Sequence, residues 1–267
     1  MKRLLILPMI VLASCQILGV GDAGDAQSDG TGSSGGVIQW DRSPTAVVFR
    51  ADVGGGEFED AFFLRNDVPP CTVYGDNRVV WTAQPFESSD QILWDRLSDE
   101  DIENFVSELT VARLFFTYSS GADLEPASET SPVVETLTLS VNEGTHTSDA
   151  FGDWPERYYE ELLQLCQTIS DTPVIYEPAA AWVAVQPAQY DPNVSELTWD
   201  GEVSGLDLAE LAASEEPLWI TDRNVKVLWN MIRAAPPDIL FSQAGDYYQV
   251  ALQVPGVTRD APPAPSE

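Results

Sequence analysis

A tight turn between two β-rich runs is the feature that most limits how this chain can fold. The stretch PPCTVYGDNRVVWT carries Gly75-Asp76-Asn77 at its centre, and these residue types tolerate the backbone angles of short turns. The flanking runs contain valine, threonine, tyrosine and tryptophan, which favour strands. The stretch therefore predicts a β-hairpin and, with it, an antiparallel sheet.

The order of the other predicted elements favours an α+β fold. Strands are predicted in TAVVFRADV, AFFLR, VETLTLSVNEG and AAAWVAVQP, and DILFSQAGDYYQVALQVPGV predicts a closing hairpin. Helices are predicted after the N-cap residues Ser98 and Asp153, and in TDRNVKVLWNMIRAAPPD. Because helices do not alternate strictly with single strands, a parallel doubly wound sheet is disfavoured. We expect an antiparallel β-sheet with hairpins and about three amphipathic helices packed on one face.

The N-terminal residues have the pattern of an export signal. Lys2 and Arg3 precede an apolar run from Leu4 to Leu12, which is too short to span a bilayer core of about 30 Å as a helix. A basic start, a short apolar segment and small residues at its exit are typical of a secretory signal peptide, which is removed. The exit is Leu12-Ala13-Ser14-Cys15. An ordinary signal peptide with a chance cysteine is one interpretation.

The other interpretation is a lipid anchor, because the exit resembles the lipobox of bacterial lipoproteins. In that family an aliphatic residue and two small residues precede an invariant cysteine. The resemblance implies that residues 1–14 are removed and that Cys15 becomes the N-terminus and carries acyl chains such as palmitate. Several chains are needed, because one acyl chain binds a membrane only marginally. Gln16, where an aspartate would imply the inner membrane, implies the outer membrane or the outer cell surface of a bacterium.

Two segments of biased composition bound the predicted folded region. Residues 15–36 are rich in glycine, serine and aspartate, so we expect a flexible tether of about 25 Å reach. A single globular α+β domain is predicted for residues 37–258. The Pro-rich residues 259–267 are predicted to form a disordered tail.

Two further cysteines, Cys71 and Cys166, make an even pair in a chain that is expected to be exported. Oxidising compartments favour disulfides, so the pair predicts a bond between the hairpin and the second helix. The bond would close a loop of about 95 residues and contribute roughly 4–5 kcal/mol in the chain-entropy model. Two buried thiols are the alternative.

The chain is strongly acidic, with 43 Asp+Glu, 13 Lys+Arg and a formal net charge of −30. Such a surface repels nucleic acid and anionic lipid, so no nucleic-acid partner is expected. Three explanations of the charge remain open: solubility, a salt-loving host, and recruitment of cations or of a basic partner. The 44% of hydrophobic residues suffices for a folded core.

The sequence contains no complete catalytic or cofactor-binding motif. His146 is the single histidine, so a Ser-His-Asp arrangement would need it, and no G-x-S-x-G elbow supplies a nucleophile. One histidine and one pair of cysteines do not make a metal site, and no phosphate-binding glycine loop is present. We expect no metal and no cofactor.

Carboxylate pairs are a remaining source of chemistry. Glycoside hydrolases need two acids about 5–9.5 Å apart, but 43 acids do not single out a pair. Asp76, Asp153, Asp200 and Asp222 lie near predicted turns or helix starts, where acids serve backbone geometry.

The eight tryptophans could include a sugar-binding platform, because aromatic faces stack on sugars. Apolar patterns predict that three of them lie in the core: Trp81, Trp182 and Trp229. Four others stand beside turns or acids and are better candidates for exposure: Trp40, Trp154, Trp199 and Trp219. Packing in the core or at its rim is nevertheless the favoured interpretation for the tryptophans.

The hairpin stretch PPCTVYGDNRVVW also resembles a Pro-x-x-Thr-x-Tyr-Gly-Asp-Gly-x-Val pattern of uncharacterised secreted bacterial domains. The resemblance covers residues 60–115 and includes a following helix that begins like LSDED. Asn77 stands where that pattern has glycine, and asparagine tolerates a left-handed turn position. The resemblance supports the fold pattern and implies no activity.

These features favour an anchored, non-catalytic domain that binds a protein or a cell-envelope ligand such as a glycan. A carboxylate-based hydrolase acting on glycan or peptide is one alternative, and a cleft with two close acids of raised pKa would favour it. An inhibitor or an envelope assembly factor is another, and an exposed apolar patch would favour that.

Overall fold

The structure, a computed structural model, describes residues 38–56, 61–86, 89–121 and 132–266. The predicted signal peptide, Cys15 and the predicted tether lie outside these ranges. Within them, none of the helices combines the length and the apolar composition that crossing a membrane requires.

Seven antiparallel strands form sheet A, in the spatial order β6-β5-β1-β2-β3-β4-β7. The predicted hairpin is β2–β3, where Val73 lies opposite Val79 and Asn77 adopts a φ of 67°. Both the hairpin and the left-handed position of Asn77 are therefore confirmed. The strand bounds are β1 (Val47–Gly55), β2 (Cys71–Tyr74), β3 (Arg78–Phe86), β4 (Ser89–Arg96), β5 (Val133–Val141), β6 (Gly144–Asp149) and β7 (Val174–Ile175).

Five further strands form sheet B, in the order β10-β8-β12-β11-β9. Its pairs are antiparallel except β9–β11, which is parallel. The predicted closing hairpin is β11–β12, which turns at Ala244 and Gly245 with φ angles of 54° and 96°. The bounds are β8 (Ala181–Ala188), β9 (Glu196–Thr198), β10 (Leu218–Ile220), β11 (Leu240–Gln243) and β12 (Asp246–Gln253).

Within the described residues, five α-helices accompany the sheets: α1 (Asp99–Ser107), α2 (Tyr158–Gln167), α3 (Gly201–Ser204), α4 (Leu208–Ser214) and α5 (Arg223–Arg233). Ser98 caps α1, as the sequence predicts, and it also forms a capping box with Asp101. Helix α2 begins later than predicted, because Asp153 and Arg157 both have positive φ angles and interrupt the turn before Tyr158.

The α+β class, with antiparallel hairpins and amphipathic helices, is confirmed. One predicted strand is wrong: the segment AFFLR contributes to a 3-10 helix, Phe62–Asn66. The strands also divide between two sheets, because the central strands of sheet A are apolar on both faces and each face needs a cover.

Each face of sheet A contributes to one of two hydrophobic cores. On β2, Cys71 and Val73 point into the first core, which α1 and α2 complete. Tyr74 of the same strand and Val80 of β3 point into the second core, together with α4, α5 and sheet B. Sheet A is therefore the layer that the two cores share.

The disulfide bond between Cys71 and Cys166 is formed, with a Cα–Cα distance of 6.2 Å. Both residues are fully buried in the first core, where the bond ties β2 to α2. The two cysteines are 95 positions apart, so the predicted stabilisation of roughly 4–5 kcal/mol applies to this bond.

Asn66 joins the segment before β2 to the last strand. Its Nδ2 donates to the carbonyl of Val250 at 3.1 Å, and its Oδ1 accepts from the amide of Leu252 at 2.7 Å. Strand β11 pairs with β12 only as far as Tyr248, so the Asn66 amide group takes the place of a neighbouring strand beyond that point. The side chain is buried, where unpaired backbone groups are costly.

We predict that Asn66→Ala destabilises the fold by about 3 kcal/mol, because it leaves two buried backbone groups without a partner. Equilibrium urea unfolding measures the change. Asn104→Ala, at an exposed position of α1, serves as the control and should change the stability by less than about 0.5 kcal/mol. Equal effects of the two substitutions would contradict the role of Asn66.

Candidate functional site

The four aspartates singled out from the sequence lie at separate turns and serve local geometry. Asp76 forms an ion pair with Arg78 at 2.8 Å beside the β2–β3 turn. Asp200 and Asp222 cap α3 and α5 by accepting hydrogen bonds from backbone amides. Asp153 is exposed and left-handed in the loop before α2.

His146 lies on β6, the edge strand of sheet A, and is half-buried. Its Nε2 is 2.6 Å from the carbonyl oxygen of Tyr118. Its ring lies edge-on to Phe115 and Phe116, with centroid distances of 5.6 and 5.4 Å. The histidine thus supports the loop that carries these aromatic residues.

Two of the tryptophans that were candidates for exposure are buried, in agreement with the favoured packing interpretation. Trp40 and Trp199 are only 8% and 5% exposed. The indole Nε1 of Trp40 donates to the carbonyl of Gly75 at 3.2 Å, and that of Trp199 donates to Leu206 at 2.8 Å. The neighbouring turns fold over these rings because a buried indole N–H needs an acceptor.

The remaining tryptophan predictions are mixed. Trp81 and Trp229 lie in the cores, as predicted. Trp154 is half-buried and stacks on Tyr159. Trp182 was predicted in the core but is half-buried on sheet B, with its ring centroid 5.2 Å from that of Trp219.

Four exposed apolar side chains follow α1 and β6, and we call them the apolar rim: Val111, Leu114, Phe116 and Phe151. Their exposed fractions are 75%, 54%, 53% and 45%, respectively. The predicted helix in LSDEDIENFVSELTVARLF includes Val111 and Leu114 and stops before Phe116. The helix in fact ends at Ser107, and the chain continues as a π-helical turn and a 3-10 turn.

The backbone under the rim is held in an unusual conformation. Leu114 has a φ of 53°, a left-handed geometry that costs a residue other than glycine about 1–2 kcal/mol. Tyr158 Oη donates to the carbonyl of Arg113 at 2.9 Å, and Arg113 pairs with Glu161 at 2.7 Å. Burial raises the pKa of Tyr158 to about 12, so its hydroxyl stays a donor at neutral pH. These contacts hold Leu114 outward.

A buried carboxylate fixes the second half of the rim. Asp149 accepts hydrogen bonds from the Ser120 hydroxyl, from the Gly121 amide at 3.0 Å and from the Phe151 amide at 2.9 Å. Burial alone would raise the pKa of Asp149, but these three donors outweigh it and lower the pKa below its ordinary value. Asp149 therefore ties the loop after Tyr118 to the loop that carries Phe151.

A second candidate is a cavity of about 510 Å³ that we call the charged pocket. Arg259 is its central residue: Nη1 lies 3.0 Å from Asp52 Oδ1, and Nη2 lies 3.9 Å from Asp67 Oδ2. The backbone amide of Arg259 also donates to the carbonyl of Asp67 at 2.8 Å. The pocket is lined by Val53, Gly54, Gly55, Ala61, Leu64, Arg65, Asp67, Arg259 and Asp260.

Burial raises the pKa of both Asp52 and Asp67, and the positive charge of Arg259 only partly opposes it. A carboxyl group of raised pKa can hold a proton that it later donates. Neither residue was singled out from the sequence, because Asp52 is one acid within a strand and Asp67 precedes two prolines. Only the fold brings them to one arginine.

Two searches bear on the nature of these sites. Among the described residues, no group of three or more histidine, cysteine, aspartate or glutamate side chains is arranged to hold a metal ion. Comparison of the chain with models of protein families, with curated proteins and with solved structures finds no match.

We predict that Asp149→Asn destabilises the protein most at neutral pH. Because the folded pKa of Asp149 lies below its ordinary value of 3.8, the carboxylate stabilises the fold above that pH. The contribution is lost as the pH falls through the lowered folded pKa. The difference in unfolding free energy between wild type and variant should therefore shrink in acid, as measured by urea unfolding at several pH values.

Ser120→Ala provides the matched control, because it removes one of the donors to Asp149. It should destabilise the wild type and have a smaller effect in the Asp149→Asn background. A difference between wild type and Asp149→Asn that stays constant with pH would contradict the prediction.

Proposed function

We propose that this chain is an exported, lipid-anchored domain that binds an envelope protein through the apolar rim and catalyses no reaction. The observation that carries the proposal is the outward Leu114 beside the exposed Phe116, on a backbone held in a left-handed turn. Such conformations persist where the surrounding contacts enforce them, and they concentrate at functional sites.

Export and anchoring are supported by the sequence of the leader and by the disulfide bond in the fold. The lipobox-like Leu12-Ala13-Ser14-Cys15 supports lipidation of Cys15, and the residues after it suit a tether. The disulfide between Cys71 and Cys166 is compatible with an oxidising compartment outside the cytoplasm. The proposed location is the outer membrane or the outer cell surface of a bacterium.

A protein is the partner that the rim suits best. Aromatic side chains are enriched in protein interfaces and charged ones are depleted from their centres. This chain has a net charge of −30, yet two phenylalanines and a leucine are exposed at the rim. The contacts from Tyr158 and Asp149 hold the rim rigid before binding, which lowers the entropy lost on association.

Site-specific photocrosslinking tests the rim. We predict that a benzophenone amino acid in place of Phe116, in the full-length chain on its own membranes, captures one protein in high yield. The same amino acid in place of Val203, which is 70% exposed on α3, is the control and should not capture it. The Cys15→Ser chain should leave the membrane fraction and lose the crosslink. Equal capture from both positions would contradict the proposal.

Leu114→Asn separates binding from folding in the same experiment. Asparagine tolerates the left-handed conformation, so we expect thermal stability to be retained. The substitution removes the exposed leucine and should weaken binding of the captured protein at least about ten-fold, which corresponds to about 1.4 kcal/mol. Unchanged affinity would exclude the rim as the binding surface.

A hydrolase acting on glycan or peptide is a second candidate function. The observation that favours it is the charged pocket, which Asp67 and Arg259 line, while Asp52 pairs with the same guanidinium from outside the lining. Both carboxyl groups have a raised pKa. One could serve as a general acid, while the arginine orients a polar substrate.

This alternative predicts release of soluble products when the purified chain is incubated with cell-wall glycan and peptide fragments. Asp52→Asn and Asp67→Asn should each lower the rate at least about a hundred-fold. Asp171→Asn, at an exposed position away from the pocket lining, is the control. Product release that survives both pocket substitutions would exclude this pocket as the active site.

A further inference from the structure

The outer face of sheet B carries a pair of tryptophans that neither core uses. Trp182 of β8 lies directly opposite Trp219 of β10, and the neighbouring residues Ala181 and Val183 point into the second core. Because side chains alternate along a strand, Trp182 faces away from that core. The two half-buried indoles form a cross-strand pair whose centroids are 5.2 Å apart.

The chain's own C-terminal segment lies on this pair. Trp182 Nε1 donates a hydrogen bond to the carbonyl oxygen of Pro263 at 3.0 Å. Gln253, which lies opposite Trp182 on β12, donates from Nε2 to the carbonyl oxygen of Asp260 at 3.2 Å. Two neighbouring side chains of the sheet thus bind carbonyls that are three residues apart along the segment.

Asp260 itself lies in a turn, where the Ala261 amide donates to the carbonyl of Thr258. The residues after this turn belong to neither a helix nor a strand, and their proline content favours a polyproline II conformation, which has about three residues per turn and makes no internal hydrogen bonds. The segment continues as Asp260-Ala261-Pro262-Pro263-Ala264-Pro265, and each proline fixes φ near the polyproline II value. Pro262 and Pro265 also have the P-x-x-P spacing of ligands that dock on aromatic grooves.

We infer that the Trp182–Trp219 pair is a docking site for proline-rich protein segments, and that residues 261–266 occupy it as an intramolecular competitor. The segment is suited to release, because its four residues from Pro262 to Pro265 are exposed although the carbonyl of Pro263 accepts a hydrogen bond from Trp182. A partner's proline-rich segment would take the same hydrogen bond from Trp182.

The connection before the segment remains fixed when the segment leaves. Val257 is fully buried, and Arg259 pairs with Asp52 and donates its amide to Asp67. Asp260 is therefore the last firmly held position before the prolines. A tethered competitor of this kind has an effective concentration of about 1 mM, so it weakens an external ligand without excluding it.

Truncation after Asp260 tests the inference. We expect the truncated chain to bind a synthetic peptide of residues 260–266 in isothermal titration calorimetry, and the full-length chain to bind it at least about ten-fold more weakly. In ¹H–¹⁵N spectra the Trp182 indole resonance, assigned with Trp182→Phe, should shift on truncation and return when the peptide is added. Trp182→Phe in the truncated chain should weaken peptide binding several-fold, because the ring remains and the donor is lost.

A second variant distinguishes removal of the competing segment from a folding defect in the truncated chain. The full-length chain with Pro262, Pro263 and Pro265 replaced by glycine keeps its length and its carbonyls, and should bind the peptide as tightly as the truncated chain. A peptide with these prolines replaced by alanine is the ligand control. The inference is overturned if neither variant binds the peptide at millimolar concentration, or if the full-length chain binds it equally well. Binding of soluble cell-wall glycan in place of the peptide would also overturn it.

Discussion

Burial of sheet A on both faces is the constraint on which the rest of the structure depends. A sheet that covers one face with helices can leave the other face polar and wet. Here Val80 and Ile92 lie on the face opposite Val79, and all three are buried. The second face therefore requires its own cover, which α5 and sheet B supply. The disulfide, the Asn66 contact and both exposed aromatic surfaces are positioned by this layered arrangement.

The apolar rim and the tryptophan pair lie on elements of different cores. The rim belongs to segments that follow α1 and β6, which border the first core. The tryptophan pair belongs to sheet B, which closes the second core. A protein partner at the rim and a proline-rich segment on sheet B therefore depend on separate packing units. Substitutions at one surface should leave the local geometry of the other intact.

Local signals in the sequence were sufficient for the elements that depend on local chemistry. The hairpin turn at Asn77 and the N-cap at Ser98 were predictable, because turn geometry and capping depend on residues close in sequence. The disulfide was predictable because Cys71 and Cys166 are the two cysteines left after Cys15. The second sheet was not predictable in this way. Its short strands β9 and β10 have three residues each and carry little periodicity.

The candidate sites were harder to predict than the fold. Leu114 lies within the predicted helix and Phe116 follows directly after it, so only the π-helical turn and the left-handed residue reveal that they point outward. Asp52 and Asp67 become a pair through Arg259, which lies far from both in sequence. Trp182 lies within an apolar stretch of the sequence, which predicted a core position. Only the pairing with β10 places it on the outer face of sheet B. Each of these depends on contacts distant in the chain.

The Asn66 contact has a consequence for the order in which the chain folds. Its two partners on β12 lie 184 and 186 positions later in the sequence. A ribosome delivers those partners long after Asn66, and until then the side chain is unpaired and one apolar face of sheet A is uncovered. Proteins dominated by such distant contacts fold slowly, because closing the long loops costs chain entropy before the contacts contribute favourable free energy. A nascent chain of this design therefore benefits from a chaperone that shields β1 to β4 until the final hairpin is complete.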